Sequence, residues 1–146
     1  MLDGGCRCGA VRYTLAMAAL PATYACHCLD CHTMSGTAFV LQAPVAEARL
    51  AVRGTTVAWR HEGPRGSVAQ HFCGSCFTRL FSSNGARPGV ALLRAGTLDR
   101  SAELAPVLHI WTKRKQRWIV LPDGVPAYDG AAPAAVTARL FAANFA

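Results

Sequence analysis

Val68-Ala69-Gln70-His71-Phe72-Cys73-Gly74-Ser75-Cys76 is a short β-rich run that ends in a C-x-x-C turn, and the fold is read outward from it. A strand needs a turn to reverse direction. A turn that carries two thiols around a glycine brings their sulfurs together, as in a zinc knuckle. Other short runs resemble the strand half of this segment. Val11, Tyr13 and Leu15 alternate with Arg12 and Thr14, as on a half-buried strand. Thr37 to Gln42, Val57 to His61, Val68 to Phe72, Leu80 to Ser82 and Val90 to Leu93 are further strand candidates. Gly54, Gly63-Pro64, Asn84-Gly85 and Pro88-Gly89 mark turns between them. Leu108 to Trp111 and Trp118 to Leu121 read as further strands or buried loops, and Pro133 opens a short helix through Val136, Leu140 and Phe141. The expectation is a mainly β fold of compact antiparallel sheets or a sandwich, with a short C-terminal helix, in a single domain over 1–146.

Composition bounds the function. Of the 146 residues, 52% are hydrophobic and 16% charged, which excludes a disordered chain. No run approaches the ~18 apolar residues that cross a bilayer. The apolar stretch from Leu15 to Ala25 is broken at Pro21, and the N-terminus lacks the pattern of a secretory signal. A protein of the reducing cytoplasm, where clustered cysteines hold metal more often than disulfides, is the expectation. The net charge of +7 is carried mostly by arginine. Lys113 and Lys115 are the only lysines, clustered with Arg114 and Arg117. Such a surface attracts anions, from nucleic acid to small carboxylates.

The seven cysteines fall into three groups: Cys6 and Cys8, then Cys26, Cys28 and Cys31, then Cys73 and Cys76. Thiolates select zinc over hard cations such as magnesium or calcium. Seven ligands cannot complete two four-cysteine sites, so one site takes a histidine, a water or a substrate atom. A site built from Cys6, Cys8, Cys73 and Cys76 would pin the N-terminal segment to the central hairpin. Cys26, Cys28 and Cys31, read as one six-residue loop, would cap a second zinc from one side and leave the open position that catalysis requires. Spacing alone does not force this partition. Read as a thiol–disulfide redox pair, Cys73 and Cys76 lack the expected strand-to-helix context.

Three segments carry a family resemblance: Gly5-Cys6-Arg7-Cys8-Gly9-Ala10-Val11, Cys26-His27-Cys28-Leu29-Asp30-Cys31 and Phe72-Cys73-Gly74-Ser75-Cys76. With Ala95-Gly96-Thr97-Leu98-Asp99 and His109-Ile110-Trp111-Thr112-Lys113, they resemble the glutathione-dependent formaldehyde-activating enzyme family, to about Tyr128. The zinc motifs are also similar to those of centromere protein V. The family resemblance implies a structural zinc at Cys6, Cys8, Cys73 and Cys76. It also implies a second, catalytic zinc at Cys26, Cys28 and Cys31, with glutathione bound beside it. The chain departs from the family pattern at Phe77, where glycine is usual, and at Leu29 and His32 beside the second site.

The function expected from this resemblance is that of a zinc-dependent carbon–sulfur lyase acting on a thiol adduct of formaldehyde or a related small aldehyde. His27, Asp30 and His32 are the nearest candidates for proton transfer. Each has a plainer reading: a backbone hydrogen bond for His27, a turn for Asp30 and zinc ligation for His32. His61, His71 and His109 read as ordinary strand histidines. The alternative function is a noncatalytic zinc module that contacts nucleic acid or protein through its basic face.

Overall fold

A computed structural model describes residues 1–63 and 66–146. Pro64, half of one expected turn, lies outside them. The fold is mainly β, built from two sheets and a short C-terminal helix. The smaller sheet has three antiparallel strands, β1 (Leu2–Gly5), β2 (Arg12–Leu15) and β5 (Leu50–Arg53), in the order β1-β2-β5. Its strand β2 shows the alternation legible in the sequence, with Tyr13 and Leu15 buried and Arg12 exposed. Strand β1, Leu-Asp-Gly-Gly, has poor β propensity but is held by close packing. A Cβ at Gly4 would run into the Tyr13 ring and the Thr97 carbonyl.

The larger sheet contains β3 (Thr23–Cys26), β4 (Val40–Ala46), β6 (Thr56–Gly63), β7 (Gly66–Cys73), β8 (Arg79–Asn84), β9 (Val90–Arg94), β10 (Pro106–Ile110) and β11 (Ala127–Tyr128). Their order is β11-β10-β3-β4-β9-β8-β7-β6. The run from β3 to β6 is antiparallel, whereas β10 lies parallel to both β3 and β11. One face of this sheet, with Ala43, Val45, Leu80, Phe81, Ala91 and Leu93, packs on Leu2, Tyr13 and Leu15 of the smaller sheet. Several positions in this core are alanines, so it holds modest side-chain volume.

Among the described residues, two α-helices complete the fold. α1 (Leu29–Ser35) follows β3 directly, and α2 (Ala134–Phe145) packs on β4. The sequence marks α2 at the right place. Asn144, 1% exposed, anchors it by accepting from the Ala22 N–H at 2.8 Å and donating to the carbonyls of Ala22 (2.9 Å) and Pro44 (2.8 Å).

Two expectations are corrected. Trp118 to Leu121 is neither strand nor buried loop, since Trp118 is 71% and Val120 90% exposed. The residues between β10 and β11 have no neighbouring strand to complete, and Lys115 closes their turn by donating to the Ile119 carbonyl at 2.7 Å. The second cysteine group is not a loop. Cys26 ends β3, Cys28 caps α1, and Cys31 lies within that helix.

Candidate metal centre

Two reversals of chain direction build the first cluster. The β1–β2 connection carries Cys6 and Cys8, Cys73 ends β7, and the β7–β8 connection carries Cys76. The turns face each other, so all four sulfurs lie within 4.8 Å of one another. Cys6 Sγ and Cys8 Sγ are 3.5 Å apart, and Cys8 Sγ and Cys73 Sγ 3.8 Å. Four sulfurs arranged tetrahedrally at zinc's bond length are about 3.8 Å apart, so the donor set fits that ion. Backbone amides point at the sulfurs, Val11 N–H at Cys6 (3.2 Å) and Ser75 N–H at Cys73 (3.4 Å); against the desolvation that raises it, the Val11 contact leads the hydrogen bonds that hold the Cys6 thiol below its ordinary range. The Thr78 hydroxyl, 3.1 Å from Cys76 Sγ, leads the contacts that draw the Cys76 thiol down to about 5.

The knuckle closes through backbone bonds from Cys73 N–H to the Thr78 carbonyl (2.9 Å) and from Phe77 N–H to the Cys73 carbonyl (3.1 Å). This path needs a left-handed residue. Phe77 supplies it at φ 57°, a conformation that glycine adopts without cost and a side chain does not. The departure from the family's glycine is therefore a site of backbone strain within the metal-binding turn.

The second cluster joins the end of β3 to the start of α1. Cys26, Cys28 and Cys31 hold their sulfurs within 4.8 Å of one another. Cys28 is the N-cap, and its sulfur accepts from the Cys31 N–H at 3.4 Å. Three sulfurs this close cannot all be anionic without a cation between them. The neighbouring Cys26 and Cys31 thiols favour an anion on the Cys28 sulfur, which pulls Cys28 down to about 2 and pushes Cys26 far above the usual thiol range. Among the described residues, no histidine nitrogen or carboxylate oxygen joins this cluster as a fourth donor. Cys26 is buried, while Cys28 and Cys31 are partly exposed, so the cluster opens on one side. Two cysteine clusters that can each hold a metal ion are thus present, one with four sulfurs and one with three.

The histidines around the second cluster differ in their surroundings. His27 is fully buried, and its Nε2 lies 3.0 Å from His109 Nδ1. Burial first, then the charge of His109, lowers its pKa to about 4, so the imidazole is neutral at neutral pH. His32 sits in α1 beside Cys31, and Asp30 is exposed in the helix's first turn. Nδ1 of His27 and Nε2 of His32 are buried without a protein partner. The His27–His109 pair was not visible in the sequence, because it depends on β10 lying parallel to β3.

Two arginines also escaped the sequence reading. Arg94 ends β9 and Arg79 begins β8, and each adjoins a run of buried strand residues, which is the one sequence signal they carry. Burial leads the effects that lower the pKa of both, that of Arg79 to about 10. The negative charge of Cys31 opposes the shift at each.

Comparison with known proteins follows the same lines. The family model of the glutathione-dependent formaldehyde-activating enzymes matches residues 1–114, a segment that holds all seven cysteines and stops short of the Tyr128 limit expected from the motifs. Among solved structures, a crystal structure of a Rhodobacter sphaeroides protein, a structural-genomics target, is similar in fold. It has a TM-score of 0.55 and 18% identity, over 72% of this chain and 98% of that one. No curated protein matches the chain in sequence.

Proposed function

Because this chain belongs to the glutathione-dependent formaldehyde-activating enzyme family, we propose that it makes or breaks the carbon–sulfur bond between a small thiol, glutathione foremost, and formaldehyde or a related aldehyde. The observation that carries this reading is the three-sulfur cluster with its open side and no fourth protein ligand among the described residues. Cys6, Cys8, Cys73 and Cys76 hold a structural zinc that ties the smaller sheet to the β7–β8 hairpin. Cys26, Cys28 and Cys31 hold a second zinc. When bound there, the cation ionises a thiol that would otherwise be mostly protonated at neutral pH.

The residues of the chain do the rest. In the forward direction, the substrate sulfur's electron pair forms a bond to the carbonyl carbon, the C=O π pair moves to oxygen, and a proton is returned to that oxygen. His32, with its unpartnered Nε2, delivers the proton. His27, buried and neutral against His109, orients the backbone between Cys26 and Cys28, donating its N–H to the Ile110 carbonyl at 3.0 Å. Asp30 sits at the positive end of α1, where a carboxylate favours the helix. Its N–H is one of the backbone groups that stabilise the Cys28 thiolate. Among the described residues no helix is long and apolar enough to cross a membrane, and a cytoplasmic thiol pool is the setting this chemistry requires.

The test is exchange spectroscopy of glutathione and formaldehyde with and without the protein, because the adduct also forms unaided. Acceleration above the protein-free rate that disappears in Cys28→Ser, with β-sheet circular dichroism unchanged, is the expected result. Exchange no faster than the blank in the zinc-loaded wild type overturns the proposal.

The second reading, a module that binds nucleic acid, draws on exposed Trp118 beside exposed Lys113, Arg114 and Arg117. It predicts retention of nucleic acid that falls steeply with salt.

A further inference from the structure

Strand register puts an unusual set of polar side chains on the face that carries the second cysteine cluster. Tyr24 pairs with Gln42, and Gln42 with Arg94, so the three share one face of the larger sheet. Cys26, two residues beyond Tyr24 on β3, shares that face. Gln70 pairs with Ser82, and Ser82 with Leu92, which extends the same face across β7, β8 and β9. Gln42, Gln70, Ser82 and Arg94 are all buried, and Arg94 is only 8% exposed. Gln70 Oε1 accepts from Arg79 Nε at 2.9 Å, and Gln42 Nε2 points at Cys31 Sγ from 3.9 Å. Register places Arg94 on the face that carries Cys26, the Gln70 contact places Arg79 on that same face, and the charge of Cys31 bears on both.

What the two guanidinium groups lack is a full set of partners. Nε and Nη1 of Arg94 and Nη1 of Arg79 are buried and make no hydrogen bond within the protein. The ion pairs among the described residues are Arg12–Asp99 and Arg100–Glu103, both at the surface and neither involving this pair. Buried donors on charged groups are costly to leave unmet, so such an arrangement persists where something else meets them. The sulfurs account for only part of the charge. Three thiolates around a divalent cation leave one net negative charge, whereas the arginines bring two positive ones. Before a substrate sulfur joins the cluster the surplus is a single positive charge, which draws an anionic ligand, and the unmet guanidinium N–H groups remain for that ligand's carboxylate.

We infer that Arg79 and Arg94 form an anion subsite beside the three-cysteine cluster, and that it takes a carboxylate of the substrate thiol. The identification of the ligand as a thiol rests on the function proposed above; the anion subsite itself does not. Gln42 and Gln70 hold the two guanidiniums in place as positioning residues. Arg79 is the more accessible of the pair and makes the decisive contact, while Arg94 balances the cluster. The subsite therefore selects acidic thiols over neutral ones.

The test titrates the zinc-loaded protein calorimetrically with 3-mercaptopropionate, 2-mercaptoethanol and propionate, which separate the thiol from the carboxylate on nearly the same skeleton. The wild type should bind 3-mercaptopropionate about tenfold more tightly than 2-mercaptoethanol, the ratio expected for one charge-assisted hydrogen-bonded pair. Arg79→Gln should abolish that preference and leave the 2-mercaptoethanol affinity in place, and Arg79→Lys should recover part of it. Zinc content of each variant is measured alongside, and variants that keep the wild-type content retain the fold that gathers the cysteines. Equal affinity for the two thiols in the wild type, or a preference that survives Arg79→Gln, overturns the subsite. Propionate distinguishes the two proposals. If propionate and 3-mercaptopropionate bind equally and 2-mercaptoethanol does not bind, the arginine site stands and the thiol reading fails; if both thiols bind equally and propionate does not, the reverse holds. Binding of none of the three overturns both.

Discussion

Relief of the strain at Phe77 offers a quantitative check on the metal-binding turn. The residue is 68% exposed and left-handed, at φ 57°. Replacing it directly with glycine would mix relief of strain with loss of the ring's contacts, so the informative comparison is Phe77→Ala against Phe77→Gly. Both variants remove the ring. Alanine keeps the left-handed penalty of about 1–2 kcal/mol. Glycine removes it but gives the unfolded chain extra freedom that offsets about 0.4–1 kcal/mol. The glycine variant should therefore be the more stable of the two by about 1 kcal/mol, or a urea midpoint higher by about 0.5 M for a denaturant slope near 2 kcal/mol/M. Both titrations need the same free zinc concentration, since metal binding and folding are one equilibrium here. If the two midpoints coincide, or alanine is the more stable, the turn is not strained as described and the account of the departure at Phe77 fails.

Two further predictions concern the scaffold. Asn144→Ala should cost about 3 kcal/mol, because three hydrogen bonds to Ala22 and Pro44 vanish at a buried position, and urea denaturation would register the loss. Little or no change would mean that α2 is held by its apolar face alone. His71 stacks on Phe81 with ring centroids 4.3 Å apart, and burial, then Arg60, holds its pKa below the ordinary value. The unfolded chain therefore takes up a proton near pH 6.5 that the folded chain refuses until lower pH, so stability falls as pH drops through that window. His71→Gln should flatten the dependence of stability on pH by up to one proton there. An unchanged slope would contradict the assignment.

The legible parts of this structure are those in which one residue type announces one environment. β2, β6, β7, β8 and β9 alternate or cluster β-formers between turn residues, and the hydrophobic faces of β2, β8 and β9 meet in the core as the pattern implies, whereas Val57 and Trp59 of β6 stay exposed. The cysteines could be grouped because a zinc site needs sulfurs close together, and turns are where short spacings bring them there. The partition into four and three came from family resemblance, and the sulfur separations agree with it.

What escaped the sequence has physical causes. α1 has no buried residue, so it carries no amphipathic period; it is organised by Cys28 at its N-cap and by left-handed Gly36 at its end. β1 contains two glycines and exists because Gly4 lies against Tyr13. The parallel pairing of β10 with β3 joins segments some eighty residues apart, a contact that local pattern cannot reveal, and with it went the His27–His109 contact. Trp118 to Leu121 misled because apolar residues usually indicate burial, yet here they stand at the surface beside basic ones.

The most direct measurement of the central claim is zinc stoichiometry with X-ray absorption at the zinc edge, on wild type and on Cys28→Ser. The account predicts two zincs per wild-type chain, with sulfur ligands averaging between three and four per ion. The variant should retain one zinc, bound by sulfur alone, within an intact fold. A folded wild type with one zinc or none, or a variant that still holds two with undiminished sulfur coordination, would contradict it.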